Sequence, residues 1–239
     1  MDVETRLQDA IEKFWEGRRK QQRKQIDSGK IDAGTRGAVT GGTHMGALEV
    51  LVTDVLIEAG LKRLDVRSRT AIELPGYYRP EKKWDLVVVS EGRLVAAIEF
   101  KSMVGSVGKN INNRAEEAIG NASDLWVAYR EGRFGNSPAP FLGYFFLLQN
   151  DAEVQRVQRG FKEPHFKVDP IFEKSSYGKR YEIMCRRFVL ERLYTSACLI
   201  LTTPEAVISQ PAEDLSFQRF AGALKGHAVT FLESRPGEA

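Results

Sequence analysis

The stretch Trp84-Asp85-Leu86-Val87-Val88-Val89-Ser90-Glu91-Gly92-Arg93-Leu94-Val95-Ala96-Ala97-Ile98-Glu99-Phe100-Lys101 sets the reading of the whole chain. Two runs rich in β-branched residues, 84–89 and 94–101, flank a short polar link, which predicts consecutive strands joined as a hairpin. Apolar residues occupy both faces of these strands. Asp85 and Glu99 are therefore expected inside the fold, where a charge is unfavourable unless it is paired or holds a metal. Ser90-Glu91-Gly92 fits a three-residue link whose last position is left-handed and favours Gly. That link pairs Val89 with Arg93, sets Asp85 opposite Ala97 and diagonal to Glu99, and leaves Lys101 on the same face two residues further on. A two-residue link would turn Asp85 to the other side.

Two carboxylates and an ammonium at one end of a hairpin suit a hard ion such as Mg²⁺, which takes oxygen ligands, keeps several waters and binds phosphate oxygens. Such a site can polarise a phosphodiester and acidify an attacking water, with Lys101 orienting that water or offsetting developing negative charge. The alternative is a solvated hairpin with Glu99 and Lys101 as a surface pair. Ala96, Ala97, Ile98 and Phe100, apolar on both faces, weigh against it because surface strands usually alternate.

Upstream, residues 3–25 place Val3, Leu7, Ile11, Phe14 and Trp15 at helical spacing, an amphipathic helix. Residues 27–43 are rich in Gly, Ser, Thr, Asp and Ala and read as a loop. Residues 44–59 carry Met45, Leu48, Leu51, Val52, Val55 and Leu56, the stripe of a helix set against a sheet and stopped by Gly60. Residues 65–74 read as a further strand of the same sheet as the hairpin. Downstream, 110–131 reads as a helix with Gly120 placed to bend it, and 141–148 as a strand buried on both faces. Residues 151–180 lack a period, 181–193 and 215–232 read as helices, and 197–202 as a strand. The expected architecture is α/β, a mixed central β-sheet flanked by helices, in a single domain over 1–239. Its parts are an N-terminal helical segment to about 26, a core over about 40–150 and a C-terminal α/β extension over about 151–239.

Composition narrows the function classes. With 42% apolar and 28% charged residues the chain of 239 residues is an ordinary globular protein. A net charge of +3 and a pI of about 8.8 permit nucleic-acid binding without requiring it. Basic residues gather in Arg18-Arg19-Lys20 and Arg23-Lys24, a pattern also common on solvated helix faces. Cys185 and Cys198 lack the density of a disulfide scaffold, and His44, His165 and His227 are too scattered for a zinc cluster. No signal peptide or membrane span is visible, so a cytoplasmic protein without a membrane partner is expected. No Gly-x-Ser-x-Gly or Gly-x-Gly-x-x-Gly follows a strand, which excludes the usual serine-hydrolase and dinucleotide sites.

Asp85 followed on the next strand by Glu99-Phe100-Lys101 resembles the PD-(D/E)XK nuclease superfamily, with Trp84 where that pattern has Pro. More of the chain looks like the XhoI family of type II restriction endonucleases. The likeness rests on Gly41-Gly42-Thr43-His44-Met45, Lys83-Trp84-Asp85-Leu86-Val87-Val88, Ala97-Ile98-Glu99-Phe100-Lys101-Ser102 and Asn112-Asn113-Arg114-Ala115-Glu116-Glu117-Ala118-Ile119-Gly120. It implies a restriction-endonuclease-like core with Asp85, Glu99 and Lys101 as catalytic residues. Glu49, on the helix before the sheet, would support them, and Asp85, Glu99 and Phe100 would hold Mg²⁺. It further implies a homodimer on double-stranded DNA that cuts CTCGAG after its first cytosine and leaves four-base 5′ overhangs with 5′-phosphate ends. A companion methyltransferase would protect the host's own sites without forming a stable complex. Two-fold symmetry in the protein would match the palindrome.

Base readout needs side chains with paired donors and acceptors. Ser106, Lys109, Asn110, Asn112, Asn113, Arg114 and Glu117, directly after the catalytic strand, form the leading candidate DNA-contact region. Lys179 and Arg180, in a basic loop over 174–180, form a second, and the N-terminal basic helix a third. His44 is a candidate phosphate contact or helix cap. Two other functions stay open on sequence grounds: a repair or structure-specific nuclease of the same superfamily, and a non-catalytic DNA-binding protein on the same scaffold.

Overall fold

The computed structural model describes residues 2–27, 45–105 and 107–234, apart from the side chains of residues 25–27 and 109. The loop over 27–43, His44, Ser106 and the Lys109 side chain therefore lie outside the described residues, Asp27 excepted for its backbone. Helices α1 (Val3–Asp27) and α2 (Gly46–Glu58) precede the short strands β1 (Val66–Ser68), β2 (Glu73–Pro75) and β3 (Glu81–Lys83). The central hairpin, β4 (Leu86–Ser90) and β5 (Arg93–Met103), comes next. Then follow α3 (Val107–Arg130), β6 (Phe141–Gln149), α4 (Ala152–Gln155), α5 (Tyr177–Leu190), β7 (Ser196–Thr202), β8 (Ile208–Ser209) and α6 (Phe217–Glu233).

Six strands form one sheet in the order β1-β4-β5-β6-β7-β8. The pairs β5/β6 and β6/β7 are parallel and the others antiparallel, so the sheet is mixed. One face, carrying Leu86, Val88, Ile98, Phe100 and Phe145, packs with residues of α1, α2 and α6. The other, carrying Val87, Ala97, Tyr144 and Phe146, packs with residues of α3 and α5. Strand β6 is buried along nearly its whole length, which is why its apolar run does not alternate. Residues after 151 continue the same sheet through β7 and β8. No helix of the described residues is long and apolar enough to cross a membrane.

The strand expected over 65–74 is two strands in different sheets. Arg69 and Ala71 take positive φ, 70° and 55°, which breaks the extended chain between β1 and β2. Strand β2 pairs instead with β3 in a separate two-stranded sheet. Strand β3, Glu81-Lys82-Lys83, has no apolar alternation and gave no strand signal.

The central hairpin also departs from the expected register. Ser90 pairs with Arg93, so the link is the two residues Glu91 and Gly92, both left-handed with φ of 52° and 71°. Alone, that turn would carry Asp85 to the face opposite Glu99. The ladder shifts, however, between Val89↔Leu94 and Val88↔Ala96, which leaves Val95 as an extra residue in β5. Val95 and Ala96 accordingly share one apolar layer. The shift restores the parity that the short turn removes, and extending Leu86↔Ile98 by one step brings Asp85 beside Glu99.

The carbonyl of the bulged residue has its own partner. His227 on α6 donates from Nε2 to the Val95 oxygen at 3.0 Å, with its ring 5.8 Å from that of Phe141. Burial pushes the imidazole below its ordinary range, although the bond to Val95 opposes the shift. The unfolded chain therefore binds a proton at His227 more readily than the folded one. The stability contributed by neutral His227 is present above about pH 6.5 and is lost as pH falls through that value toward the lower folded pKa. Between about pH 7.5 and pH 5.5 the thermal midpoint of the wild type should drop further than that of His227→Gln. Parallel profiles would contradict this role.

Candidate active site

The site forms where the β4/β5 ladder ends. Beyond Leu86↔Ile98 the Asp85 side chain takes over from the strand backbone, its Oδ2 accepting the Phe100 N–H at 2.7 Å. Glu99 is 4% exposed and paired on both sides. Its Oε2 accepts from Lys82 Nζ at 2.6 Å, and its Oε1 from Lys101 Nζ. The strand period aims Glu99 and Lys101 to one face, and β3 supplies Lys82 from outside the sheet.

These charges set one another's protonation. Burial raises the Asp85 carboxyl above its usual range, and the Glu99 charge raises it further. Burial by itself would also raise Glu99, but the Lys101 and Lys82 ammoniums beside it hold the carboxyl below the ordinary value. Lys101 is disfavoured by burial, yet Glu99 and Asp85 carry it above the usual lysine range. For Lys82 burial prevails over the pull of Glu99, and its ammonium is lowered. The two lysines thus favour Glu99 as an anion and the two carboxylates favour Lys101 as a cation, whereas burial favours the neutral form of Asp85.

Glu49, in the first turn of α2, is half-buried; burial and the Asp85 charge raise its carboxyl against the pull of Arg69. It stands in the field of Asp85, but among the described residues no three His, Cys, Asp or Glu side chains come close enough to share an ion. The ring of Phe100 packs on Phe145 with centroids 5.4 Å apart, so only its carbonyl is available as a ligand. In a strand the N–H and C=O of one residue point to the same side, and the Phe100 N–H points at Asp85. Asp85 Oδ1 carries no hydrogen bond among the described residues. Two carboxylates and a carbonyl make an all-oxygen donor set that fits a hard divalent ion completed by water.

Arg114 lies closer to this centre than a surface contact would. Its guanidinium is bonded to Glu117 at 2.7 Å, its Nε is buried, and its charge opposes protonation of Lys101. Asn112, Asn113 and Glu117 are exposed and Asn110 is half-buried. Lys179 and Arg180 belong to the first turn of α5 rather than to a loop, because Ser176 caps that helix by accepting the Lys179 N–H at 3.2 Å. Lys179 pairs with Glu182 at 2.6 Å, and Arg180 lies 4.6 Å from the Phe161 ring and 5.4 Å from that of Tyr177. The starts of α3 and α5 touch: a Cβ on Gly108 would fall 2.3 Å from the Tyr177 hydroxyl.

Two features escaped sequence reading. Lys82 reaches the centre from a strand that carries no apolar pattern. Arg156, Arg159 and Lys162, in a segment without period, line with Arg180 and Tyr177 a basin of about 630 Å³. The signal present in the sequence was their charge, three cations and no acid over 156–162.

Removing Glu99 would leave the two lysines facing each other without their shared anion. Glu99→Ala should lower the unfolding free energy by about 3 kcal/mol. Lys82→Met added to Glu99→Met should recover most of that loss in chemical denaturation. A Glu99→Ala protein as stable as wild type would show that the pairs do not form.

The sequence profile described as restriction endonuclease XhoI matches residues 24–211, well over half of the chain and the whole site with it. Among curated proteins, the type II restriction enzyme BstVI of Geobacillus stearothermophilus is 44% identical over 213 residues, covering 85% of this chain and 94% of that enzyme. The type II restriction enzyme AbrI of Azospirillum brasilense is 46% identical over 168 residues, 70% of this chain and 75% of its own length. The type II restriction enzyme XhoI of Xanthomonas vasicola is 41% identical over 184 residues, 76% and 73% of the two chains. No solved structure matches the chain. A family match of this extent, joined to named relatives at this identity over most of both chains, decides the assignment: the chain belongs to the XhoI family of restriction endonucleases and is a type II restriction enzyme, a site-specific deoxyribonuclease.

Proposed function

We propose that the enzyme cuts double-stranded DNA at CTCGAG after the first cytosine, as a Mg²⁺-dependent homodimer, with a PD-(D/E)XK core whose centre is Asp85, Glu99 and Lys101. The observation that carries this reading is the end of the β4/β5 ladder, where two carboxylates and a lysine meet beside the Phe100 backbone. Asp85, Glu99 and the Phe100 carbonyl would hold the ion. When bound there it would supply Lewis-acid polarisation of the phosphodiester and a more acidic water.

The chain's own groups divide the remaining work. Lys101, carried above the ordinary lysine range by Glu99 and Asp85, stays protonated at neutral pH. It therefore acts as a donor to the attacking water or to the developing negative charge and not as a base. Asp85 orients its carboxylate through the Phe100 N–H. Glu49 supports the centre from α2, where the Asp85 charge reaches its carboxyl and raises it. The Arg114 charge reaches Lys101, which places a further cation within the field of the centre.

The exposed polar residues of α3, Asn112, Asn113 and Glu117, are the leading base-contact candidates, and Lys179 and Arg180 are phosphate contacts. The Arg156, Arg159 and Lys162 basin, continuous with Arg180, extends that phosphate path. A palindromic target presents two equal half-sites, which a two-fold dimer meets with one centre per strand. A cytoplasmic restriction–modification system with a methyltransferase guarding the host's sites fits this activity.

Digestion of a plasmid of known sequence, with Mg²⁺ and with chelator, followed by sequencing of the ends, tests the proposal. Discrete Mg²⁺-dependent cuts at C^TCGAG are expected, and Asp85→Asn, Glu99→Gln and Lys101→Met should each slow cleavage by about a thousandfold. Cuts at another fixed sequence would overturn the site assignment. Full activity in any of the three variants would overturn the assignment of that residue.

A further inference from the structure

Both oxygens of Glu99 already face an ammonium. Lys101 bonds one of its oxygens and Lys82 the other, so a divalent ion and Lys82 compete as cations for the charge of one carboxylate. Lys101 is tied to the centre by its own strand. Lys82 arrives from the separate β2/β3 hairpin, and that hairpin is locked in place. Its turn is gripped by Asp124 of α3, which accepts the Tyr77 and Tyr78 N–H groups at 2.7 and 2.9 Å and Arg79 Nε at 2.7 Å. The turn closes so tightly that a Cβ on Gly76 would lie 2.6 Å from the Arg79 carbonyl oxygen and 2.7 Å from Asp124 Oδ2. Lys82 itself is only 11% exposed, sits 4.1 Å over the Trp84 ring and donates to the Lys83 carbonyl at 2.9 Å.

The charges of the free site cancel. Asp85 and Glu99 are matched by Lys82 and Lys101, Glu49 by Arg69, and Arg114 by Glu117. A neutral site attracts a divalent ion weakly, whereas a DNA phosphate brings both a negative charge and another acceptor for an ammonium. We propose that Lys82 is a resident counter-ion of the metal site: it occupies Glu99 in the free enzyme, holds divalent-ion affinity down, and transfers to a phosphate oxygen when DNA arrives. The transfer exchanges one ammonium hydrogen bond for another and frees the Glu99 oxygen, so metal loading and DNA binding favour each other reciprocally. This rests on the reading of Asp85 and Glu99 as metal ligands.

The test is Mn²⁺ binding to the full-length protein without DNA, followed by electron paramagnetic resonance. Lys82→Gln should bind Mn²⁺ about tenfold more tightly than wild type, Lys82→Arg should match wild type, and Lys82→Met serves the same comparison where Gln is not tolerated. In chelator, the salt dependence of affinity for a CTCGAG duplex should weaken by about one unit of slope in Lys82→Gln. Equal or weaker Mn²⁺ binding by Lys82→Gln would overturn the counter-ion role, and an unchanged salt slope would overturn the transfer to phosphate. Asp85→Asn in the Lys82→Gln background separates the two readings. Undiminished Mn²⁺ binding there would show that the ion sits elsewhere and that the metal-ligand reading itself fails.

Discussion

Side chains on paired strands alternate between two faces, so a hairpin can bring Asp85 and Glu99 together only if the number of residues between them has the right parity. The two-residue turn at Glu91-Gly92 gives the wrong parity, and the bulge at Val95 corrects it. Everything at the centre depends on that one extra residue. Without it Asp85 would face the apolar layer of α1, α2 and α6, and Glu99 and Lys101 would have no second carboxylate. The His227 bond to the Val95 carbonyl gives the irregular point a partner from α6, which ties the geometry of the site to a helix on the opposite face of the sheet.

The second determinant is electrostatic. Glu99 is nearly fully buried, and a lone carboxylate there would take up a proton. Two lysines from different strands keep it ionised, and its charge together with that of Asp85 keeps Lys101 protonated. The cluster is preorganised by mutual neutralisation, with parallel strands β5 and β6 and the helices α3 and α5 forming the apolar wall around it. The same packing brings the helix carrying Asn112 and Asn113 and the helix carrying Lys179 and Arg180 together at Tyr177 and at Gly108, a few residues after the end of β5.

Much of this was legible in the chain because it follows from periodicity. The long helices, the buried run of β6 and the two charged positions in the hairpin all announce themselves through apolar spacing. The bulge did not, since Leu94-Val95-Ala96-Ala97 reads as unbroken strand whether or not one residue is skipped. A three-residue turn and a two-residue turn with a bulge give the same face relation, so the expected convergence of charges survived an incorrect register. Strand β3 was hidden for the opposite reason: Glu81-Lys82-Lys83 is polar throughout, and it is held by Asp124 and the Gly76 turn rather than by an apolar face. The break between β1 and β2 lies in backbone conformations at Arg69 and Ala71 that neither residue type advertises. The expected division of labour among these charges came from their chemistry, and the family resemblance added the target sequence and the dimer as expectations.

The proposed centre requires a divalent ion at the end of the β4/β5 ladder. Anomalous diffraction from crystals of the enzyme soaked in Mn²⁺ measures this directly. A peak bounded by Asp85, Glu99 and the Phe100 carbonyl is expected. A peak elsewhere, with Glu99 still held by both lysines at saturating Mn²⁺, would contradict it.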